Sequence, residues 1–194
     1  MLVREVMTRR PITVGPDTSV KDALVLLDDH SITMMPVVSH AGSLVGVVSE
    51  ADLVRDALQP DPRAHMVPDA GWTERPTTVV DVMNHRTLTV TGDADLAEAV
   101  DLMTSTAVKS LPVIDEHHHV VGVLSRRDVV HLLARRDDAV EREMDALFQS
   151  LGVDWLAEVS EGVVTVMGPV DERERALART AAATVPGVVS VTVS

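Results

Sequence analysis

Two segments of the chain place a glycine, a serine and an aspartate at the same spacing. They are Gly46–Asp52 (GVVSEAD) and Gly122–Asp128 (GVLSRRD). In each, an apolar run leads through the serine into a helix-like run, so a local role is open: the serine caps the helix and the aspartate faces the positive end of its dipole. A binding role is also open. A helix N-terminus with a hydroxyl group binds an anion, and a carboxylate one turn later accepts hydrogen bonds from a ribose diol.

The two segments belong to a longer internal repeat. Val3–Val54 aligns with Val79–Val130 without a gap. The shared residues include Val6-Met7 with Val82-Met83, Thr13-Val14 with Thr89-Val90, and Pro36-Val37 with Pro112-Val113. A tandem duplication of this kind predicts two similar units whose apolar faces cover each other.

Each copy is predicted to fold in the order strand, helix, strand, strand, helix. Apolar residues at helical spacing predict a helix from Ser19 to His30, and Asp95 with Glu98 predicts a capping box at the matching helix. Two β-branched runs then form a hairpin. The first strands are expected at Ile12–Val14 and Leu88–Val90, the hairpin strands at Pro36–Val38, Leu44–Val48, Pro112–Ile114 and Val120–Leu124, and the closing helices at Ala51–Leu58 and Arg127–Arg136.

Residues 59–77 join the copies. Four prolines in this stretch are incompatible with a long helix and predict a linker. Trp72 within it is expected to pack on a neighbouring surface, with a ligand role as the alternative.

The rest of the chain, residues 138–194, predicts a third, small α+β unit. Its elements are expected at Glu141–Leu151 (helix), Leu156–Val159 and Val163–Met167 (strand pair), Asp171–Thr184 (helix) and Val188–Val193 (strand).

Composition excludes several classes of protein. The 194 residues are 45% hydrophobic, enough for one large domain or for two to three small ones. The chain contains no cysteine, which excludes disulfides, thiolate metal sites, iron–sulfur clusters and a cysteine nucleophile. A net charge of −13 and only three aromatic residues disfavour nucleic acid binding. Because no signal peptide or membrane-spanning run is evident, we expect a cytoplasmic protein.

Residues 1–137 resemble a tandem pair of cystathionine-β-synthase (CBS) domains. The resemblance rests on the two Val-Met pairs, on Met35–Val38 and Leu111–Ile114, and on the two Gly-x-x-Ser-x-x-Asp segments. It implies an α+β fold of two β-α-β-β-α repeats, at residues 1–58 and 78–137, forming a pseudo-two-fold pair that dimerises.

The resemblance also implies a ligand. CBS pairs commonly bind an adenosyl group (AMP, ADP, ATP, S-adenosylmethionine or an NAD-type dinucleotide) in clefts between the copies. By this resemblance Ser49 and Ser125 contact phosphate, and Asp52 and Asp128 contact ribose. The base is expected near Thr13, Met35 and Pro36 in one site and near Thr89, Leu111 and Pro112 in the other.

The two expected sites differ in charge. The second segment carries Arg126 and Arg127 and has Lys109 nearby, whereas the first has Glu50 and Ala51. Because cations strengthen hydrogen bonds to phosphate, we expect the Ser125/Asp128 site to favour phosphorylated ligands, unless these cations form only a solvated helix start. The Ser49/Asp52 site is then weaker, empty or selective for a less anionic adenosyl group.

Other candidate residues carry weaker chemistry. Three consecutive histidines, 117–119, lie in a predicted turn and cannot all face one ion, so no metal site is expected. The Asp28-Asp29 and Asp137-Asp138 pairs are expected to be solvated, and no spacing supports a Ser/His/Asp arrangement or any other catalytic residue.

The third unit resembles a BON domain. The resemblance rests on Val159–Gly168, on the charged helix Asp171–Thr184 and on Val185–Val191. BON domains are associated with phospholipid surfaces, but acidic residues outnumber arginines here, although Arg173, Arg175 and Arg179 can form a local patch. A protein partner or docking within the chain is the alternative.

Together these features predict a regulatory sensor without catalytic activity and without a required cofactor. An adenosyl ligand would shift the angle between the CBS repeats, and the BON unit would report the change across a hinge after Arg136. The alternative is a dimeric adaptor with vestigial ligand sites, whose BON unit does the binding. An enzyme would need a nucleophile and a base that the sequence does not supply.

Overall fold

The computed structural model describes residues 1–55 and 75–194. Trp72, most of the predicted linker and the end of the predicted helix Ala51–Leu58 lie outside the described residues. The chain divides into two units. We call Met7–Ala94 with Val108–Leu124 the hairpin unit, and Met1–Val6, Asp95–Ala107 and Ser125–Ser194 the C-terminal unit.

The described part of the chain contains seven helices, nine strands and a single turn of 3₁₀ helix at Val79–Asp81. The helices are α1 (Val3–Val6), α2 (Val20–Asp29), α3 (Glu50–Val54), α4 (Leu96–Ser105), α5 (Arg126–Leu133), α6 (Asp137–Leu151) and α7 (Glu172–Ala182). The strands are β1 (Thr8–Arg9), β2 (Met34–Val38), β3 (Leu44–Ser49), β4 (Val90–Thr91), β5 (Ser110–Ile114), β6 (Val120–Ser125), β7 (Leu156–Ser160), β8 (Val163–Met167) and β9 (Ser190–Val193).

The first repeat forms an antiparallel hairpin, β2–β3, that runs directly into α3. Met34 lies opposite Ser49 at the open end of the hairpin. The predicted helix after Ser19 is confirmed: the Ser19 hydroxyl caps α2 by accepting from the Asp22 amide. Apolar faces of α2, α3 and the hairpin bury one core, whose members include Val14, Ala23, Met35, Val37, Val48 and Leu53.

The second repeat contributes a four-stranded sheet in the order β1-β6-β5-β4. β4 runs parallel to β5, and β1, from the start of the chain, pairs antiparallel with β6. The first copy therefore supplies a strand to the sheet of the second.

The glycine of each repeated segment allows a backbone segment of the other copy to pass close to it. A Cβ on Gly46 would lie 2.9 Å from the Asn84 carbonyl oxygen, and one on Gly122 would collide with the Met7 sulfur. Each glycine is therefore crossed by the chain that follows the Val-Met pair of the other copy. Only a residue without a side chain allows the backbones to approach this closely.

Several predicted boundaries need correction. Ile12–Val14 is not a strand, since only Val14 bridges to Val37 and Pro11 beside it has no N–H to donate. The first strand of the second copy is Val90–Thr91 and not the predicted Leu88–Val90. Asp95 caps α4 through the Ala97 amide, but its backbone bridges to Leu2 and no capping box with Glu98 forms.

No linker follows Arg136, where the hinge was expected. α5 ends at Leu133 and α6 begins at Asp137, earlier than the predicted Glu141, so only three residues separate the helices. The early start is favourable because Asp137 and Asp138 place negative charge in the first turn of α6.

The end of the chain folds as predicted into a small α+β arrangement. β7 and β8 form an antiparallel pair, and α7 connects β8 to the parallel strand β9. α6, α7 and the sheet bury a core that includes Met144, Phe148 and Trp155, with the two aromatic rings edge to face at 5.5 Å. No helix in the described part of the chain is long and apolar enough to cross a membrane.

Candidate functional site

Both repeated segments form capping boxes of nearly the same geometry. The Asp52 Oδ2 atom accepts from the Ser49 amide at 3.0 Å and from the Ser49 hydroxyl at 2.6 Å. The Asp128 Oδ2 atom accepts from the Ser125 amide at 2.8 Å and from the Ser125 hydroxyl at 2.6 Å. The predicted N-caps are thus confirmed. Each box uses the Oδ2 atom of its aspartate, and the Asp52 Oδ1 atom lies 3.7 Å from the Arg55 guanidinium.

The residues predicted for the first site lie close together in the hairpin unit. The backbone beside Thr13 joins β2, because the Val14 amide donates to the Pro36 carbonyl oxygen at 3.1 Å. Met35 lies opposite Val48, one step before Ser49. Thr13 is exposed, whereas the side chains of Met35 and Pro36 are buried. Contact between these residues and a base remains a prediction.

The residues predicted for the second site are divided between the two units. The hairpin unit contains four of them: Thr89, Lys109, Leu111 and Pro112. Thr89 directly precedes β4, and Leu111 and Pro112 are buried in β5. Ser125, Arg126 and Asp128 belong to the C-terminal unit, at the start of α5.

Two cations expected to serve phosphate are engaged elsewhere. The Lys109 ammonium lies 3.0 Å from the Glu50 carboxylate, within the hairpin unit. The Arg126 guanidinium donates to the Met103 carbonyl oxygen at 2.7 Å. A phosphate at Ser125 would have to compete for both groups, and Lys109 offsets the charge of Glu50 at the start of α3 instead.

The histidine turn holds no metal cluster. The Asp115 carboxylate accepts from the amides of His117 and His119, both at 2.9 Å, and these bonds help to hold the pKa of Asp115 below its ordinary value, the His119 amide most strongly. Over residues 1–55 and 75–194, no three His, Cys, Asp or Glu side chains are grouped to hold an ion.

The structure adds a cleft that the sequence reasoning missed. It measures about 440 Å³ and lies within the C-terminal unit. Its lining is Glu5, Val6, Arg127, Asp128, His131, Leu132, Arg135 and Pro186. Residues 128, 131, 132 and 135 have the spacing of one helix face. This spacing is visible in the sequence and could have indicated that these residues line a common surface.

Comparison with known proteins supports the resemblance of the repeats. The family model described as the CBS domain matches residues 3–58 and 79–135, more than half of the chain. A CBS domain-containing protein of Dictyostelium discoideum is 30% identical over 135 residues, covering 70% of this chain and 92% of that protein. Inosine-5′-monophosphate dehydrogenase of Methanocaldococcus jannaschii is 28% identical over 126 residues, 65% of this chain, but the chain spans only 22% of the dehydrogenase.

Solved structures show the same fold. CBSX2 of Arabidopsis thaliana, in complex with AMP, is 30% identical with a TM-score of 0.55, covering 67% of this chain and 93% of that one. The CBS domain pair of protein MJ0100, in complex with 5′-methylthioadenosine and S-adenosyl-L-methionine, has a TM-score of 0.58 at 23% identity, covering 68% and 94%. The family match, the Dictyostelium relative and the two Ser–Asp capping boxes agree, and the chain therefore belongs to the CBS domain family.

Proposed function

We propose that the protein is a non-catalytic sensor of an adenosyl ligand, working in the cytoplasm. The observation that carries this proposal is the pair of equivalent Ser–Asp capping boxes, which stand at the same place in the two repeats. The complexes of CBSX2 with AMP and of the MJ0100 pair with S-adenosyl-L-methionine support an adenosyl group as the ligand class. Either a nucleotide or a sulfonium-type ligand fits this class.

In this proposal Asp52 and Asp128 accept the ribose hydroxyl groups. The helix N-termini that follow Ser49 and Ser125 face the phosphate or the group that replaces it. No residue acts as a nucleophile or base, since binding alone provides the signal.

The two sites are proposed to differ in the charge they accept. Glu50 stands at the first position of α3, and Lys109 neutralises it. A polyphosphate at the first site would have to break this ion pair, whereas a neutral or cationic adenosyl ligand would leave it intact. Because Lys109→Met leaves the Glu50 charge unneutralised, it is expected to weaken the binding of AMP at the first site more than the binding of methylthioadenosine.

The C-terminal α+β arrangement is proposed to be a BON domain that reports ligand binding. Its link to α5 is tight: the Arg135 guanidinium forms a bidentate ion pair with Glu143 of α6 and donates to the Pro186 carbonyl oxygen at 2.7 Å. In this proposal a change in the segment that follows α5 is passed to α6 and to the Pro186 loop. A protein partner or a phospholipid surface is the proposed recipient.

A homodimer is proposed as the working form. α5 buries none of its residues within the chain, and Val130 and Leu133 on it are 64% and 59% exposed. The same feature favours the alternative function, a dimeric adaptor whose ligand sites are vestigial.

Thermal unfolding of the full chain with AMP, ADP, ATP, S-adenosylmethionine and NAD tests the proposal. A ligand at 100 times its dissociation constant adds about 2.7 kcal/mol, a rise in Tm of roughly 5–10 °C for a chain of this size. The expected result is a shift with one ligand class that Asp128→Ala or Asp52→Ala reduces. Asp81→Ala is the matched control, since it breaks the Thr78–Asp81 capping box outside the repeated segments. A stable dimer with no shift for any ligand would favour the adaptor.

A further inference from the structure

Two methionine side chains lie against the glycines of the repeated segments. The Met7 sulfur is the atom nearest to the position that a Cβ on Gly122 would take, and the Met83 sulfur lies 3.2 Å from the same position on Gly46. Met7 and Met83 stand at equivalent places in the two copies, and both lie with their glycines in the hairpin unit. The adenosyl sensor proposed above uses neither sulfur atom.

Both methionines are within reach of a small oxidant. Met7 and Met83 are half-buried, whereas the glycines beneath them are buried. Three other methionines are at most 1% exposed and are therefore shielded: Met35, Met103 and Met144. The remaining half-buried methionines among the described residues are Met1, Met34 and Met167. A peroxide in solvent is thus directed to the half-buried group.

A sulfoxide is incompatible with the contact between Met7 and Gly122. The nearest atom from another residue is the Thr8 carbonyl oxygen, which lies 3.0 Å from the Cβ position of Gly122 and is itself an acceptor. A sulfoxide oxygen turned toward the glycine would therefore face a second acceptor and no donor. A sulfoxide oxygen turned toward solvent would draw the sulfur away from the glycine, since oxidation makes the side chain polar. In either case the packing of Met7 on β6 is lost.

The strand β1 depends on this packing. It has only two residues, both exposed, and it lies at the edge of the sheet β1-β6-β5-β4. Pairing of Thr8 with Val123 and of Arg9 with Gly122 joins it to β6. Because so short a strand is marginal by itself, loss of the Met7 contact is expected to weaken the pairing between the first copy and the sheet of the second.

Met83 makes a looser contact of the same kind. At Gly46 the nearest atom is the Asn84 carbonyl oxygen, at 2.9 Å, and the Met83 sulfur lies farther away. Two backbone hydrogen bonds between Asn84 and Val47 hold this crossing without the sulfur. Met83 is therefore a matched control for Met7, with the same side chain, similar burial and an equivalent position.

We infer that Met7 is a site of reversible oxidation by a peroxide, and that its sulfoxide releases β1 from β6. The sulfur gives two electrons and forms an S–O bond as the O–O bond of the peroxide breaks. The proton of the transferred oxygen goes to the departing oxygen, which leaves as water or an alcohol. A methionine sulfoxide reductase returns the sulfur to a thioether. The inference goes beyond the adenosyl sensor and does not depend on it.

Hydrogen peroxide treatment of the full chain, followed by peptide mass mapping and thermal unfolding, tests the inference. Met7 is expected to gain one oxygen atom, and the treated chain to unfold roughly 2–8 °C below the untreated chain. Met7→Leu keeps the volume of the side chain but cannot form a sulfoxide, so most of this decrease should disappear. Met83→Leu should retain it. Treatment with methionine sulfoxide reductases should restore the original Tm of the unsubstituted chain.

Two results would overturn the inference. One is an equal fall in Tm in Met7→Leu and in the unsubstituted chain. The other is a Met7 peptide that gains no oxygen while those of Met34 and Met83 do. Neither result bears on the adenosyl sensor, because no ligand is present in the experiment.

Hydrogen exchange keeps the inference testable if Met7→Leu does not fold. In the unsubstituted chain, exchange at the Thr8 and Val123 amides should become faster after peroxide and slow again after reductase treatment. Unchanged exchange at both amides, with Met7 oxidised, would overturn the release of β1. Exchange at the Val47 and Asn84 amides is the internal reference, since these amides hold the equivalent crossing at Gly46.

Discussion

Gly46→Ala places a methyl group where two chain segments cross. The new Cβ would lie 2.9 Å from the Asn84 carbonyl oxygen and 3.2 Å from the Met83 sulfur. The Asn84 backbone is fixed by two hydrogen bonds to Val47, of 3.0 and 2.8 Å. Rotating a side chain therefore cannot relieve the clash, and the crossing segments must separate.

The size of the effect follows from two opposing contributions. Overpacking a close contact costs about 1–3 kcal/mol, and replacing glycine by alanine returns about 0.4–1 kcal/mol by restricting the unfolded chain. The net loss is about 1–2 kcal/mol, which for a chain of this size lowers the Tm by roughly 2–8 °C. In Gly122→Ala the nearest atom is the flexible Met7 sulfur. Met7→Ala should thus recover part of that loss, whereas Met83→Ala should recover little in Gly46→Ala.

Thermal unfolding followed by circular dichroism measures these differences. Gly15→Ala is the control, because its Cβ would have no neighbour closer than the Thr18 hydroxyl at 3.9 Å. If Gly46→Ala unfolds at or above the temperature of Gly15→Ala, the result would refute the close approach of Gly46 to the Asn84 backbone.

Three further predictions concern the cap of α5, the Arg135–Glu143 ion pair and the hydrogen bond from the Gly162 amide to Asp137. Ser125→Ala removes a helix cap and should cost about 1 kcal/mol in the free energy of unfolding from urea titration; an unchanged midpoint would contradict the capping role. The ion pair with Arg135 lowers the pKa of Glu143, so its contribution to stability is full above the ordinary value of 4.5 and is lost as pH falls through the lowered value. Urea midpoints should therefore fall more steeply below pH 4.5 in the unsubstituted chain than in Glu143→Gln, and parallel curves would count against the pair. Asp137→Ala removes the acceptor of the Gly162 amide and should cost about 1–2 kcal/mol, with faster hydrogen exchange at that amide; unchanged exchange would refute the contact.

Local signals predicted much of the fold. Ser49 and Ser125 are predicted as caps because each serine stands directly before a helix-like run, and the structure confirms both. The predicted helix that starts near Ser19 is confirmed as well. β7 and β8 were located by β-branched runs on either side of Glu161-Gly162. These features depend on residues near each other in sequence, where propensity and turn chemistry act directly.

Features that depend on distant pairing were not predictable in the same way. Thr8–Arg9 is too short and polar to be recognised as a strand, and it becomes one only because β6 offers a partner. The engagement of Lys109 by Glu50 joins residues far apart in sequence, as does the contact of Arg135 with the Pro186 loop. Sequence spacing identified which residue types stand at the candidate sites, but tertiary pairing decides which cations are available to a ligand.

The central claim is that the two Ser–Asp segments bind an adenosyl ligand. Equilibrium dialysis of labelled AMP and labelled S-adenosylmethionine against the full chain, compared with Asp52→Ala/Asp128→Ala, tests it most directly. The account predicts saturable binding of at least one of the two ligands and its loss in the double variant, with Asp81→Ala retaining it. Saturable binding that is equal in the double variant and the unsubstituted chain would contradict the claim.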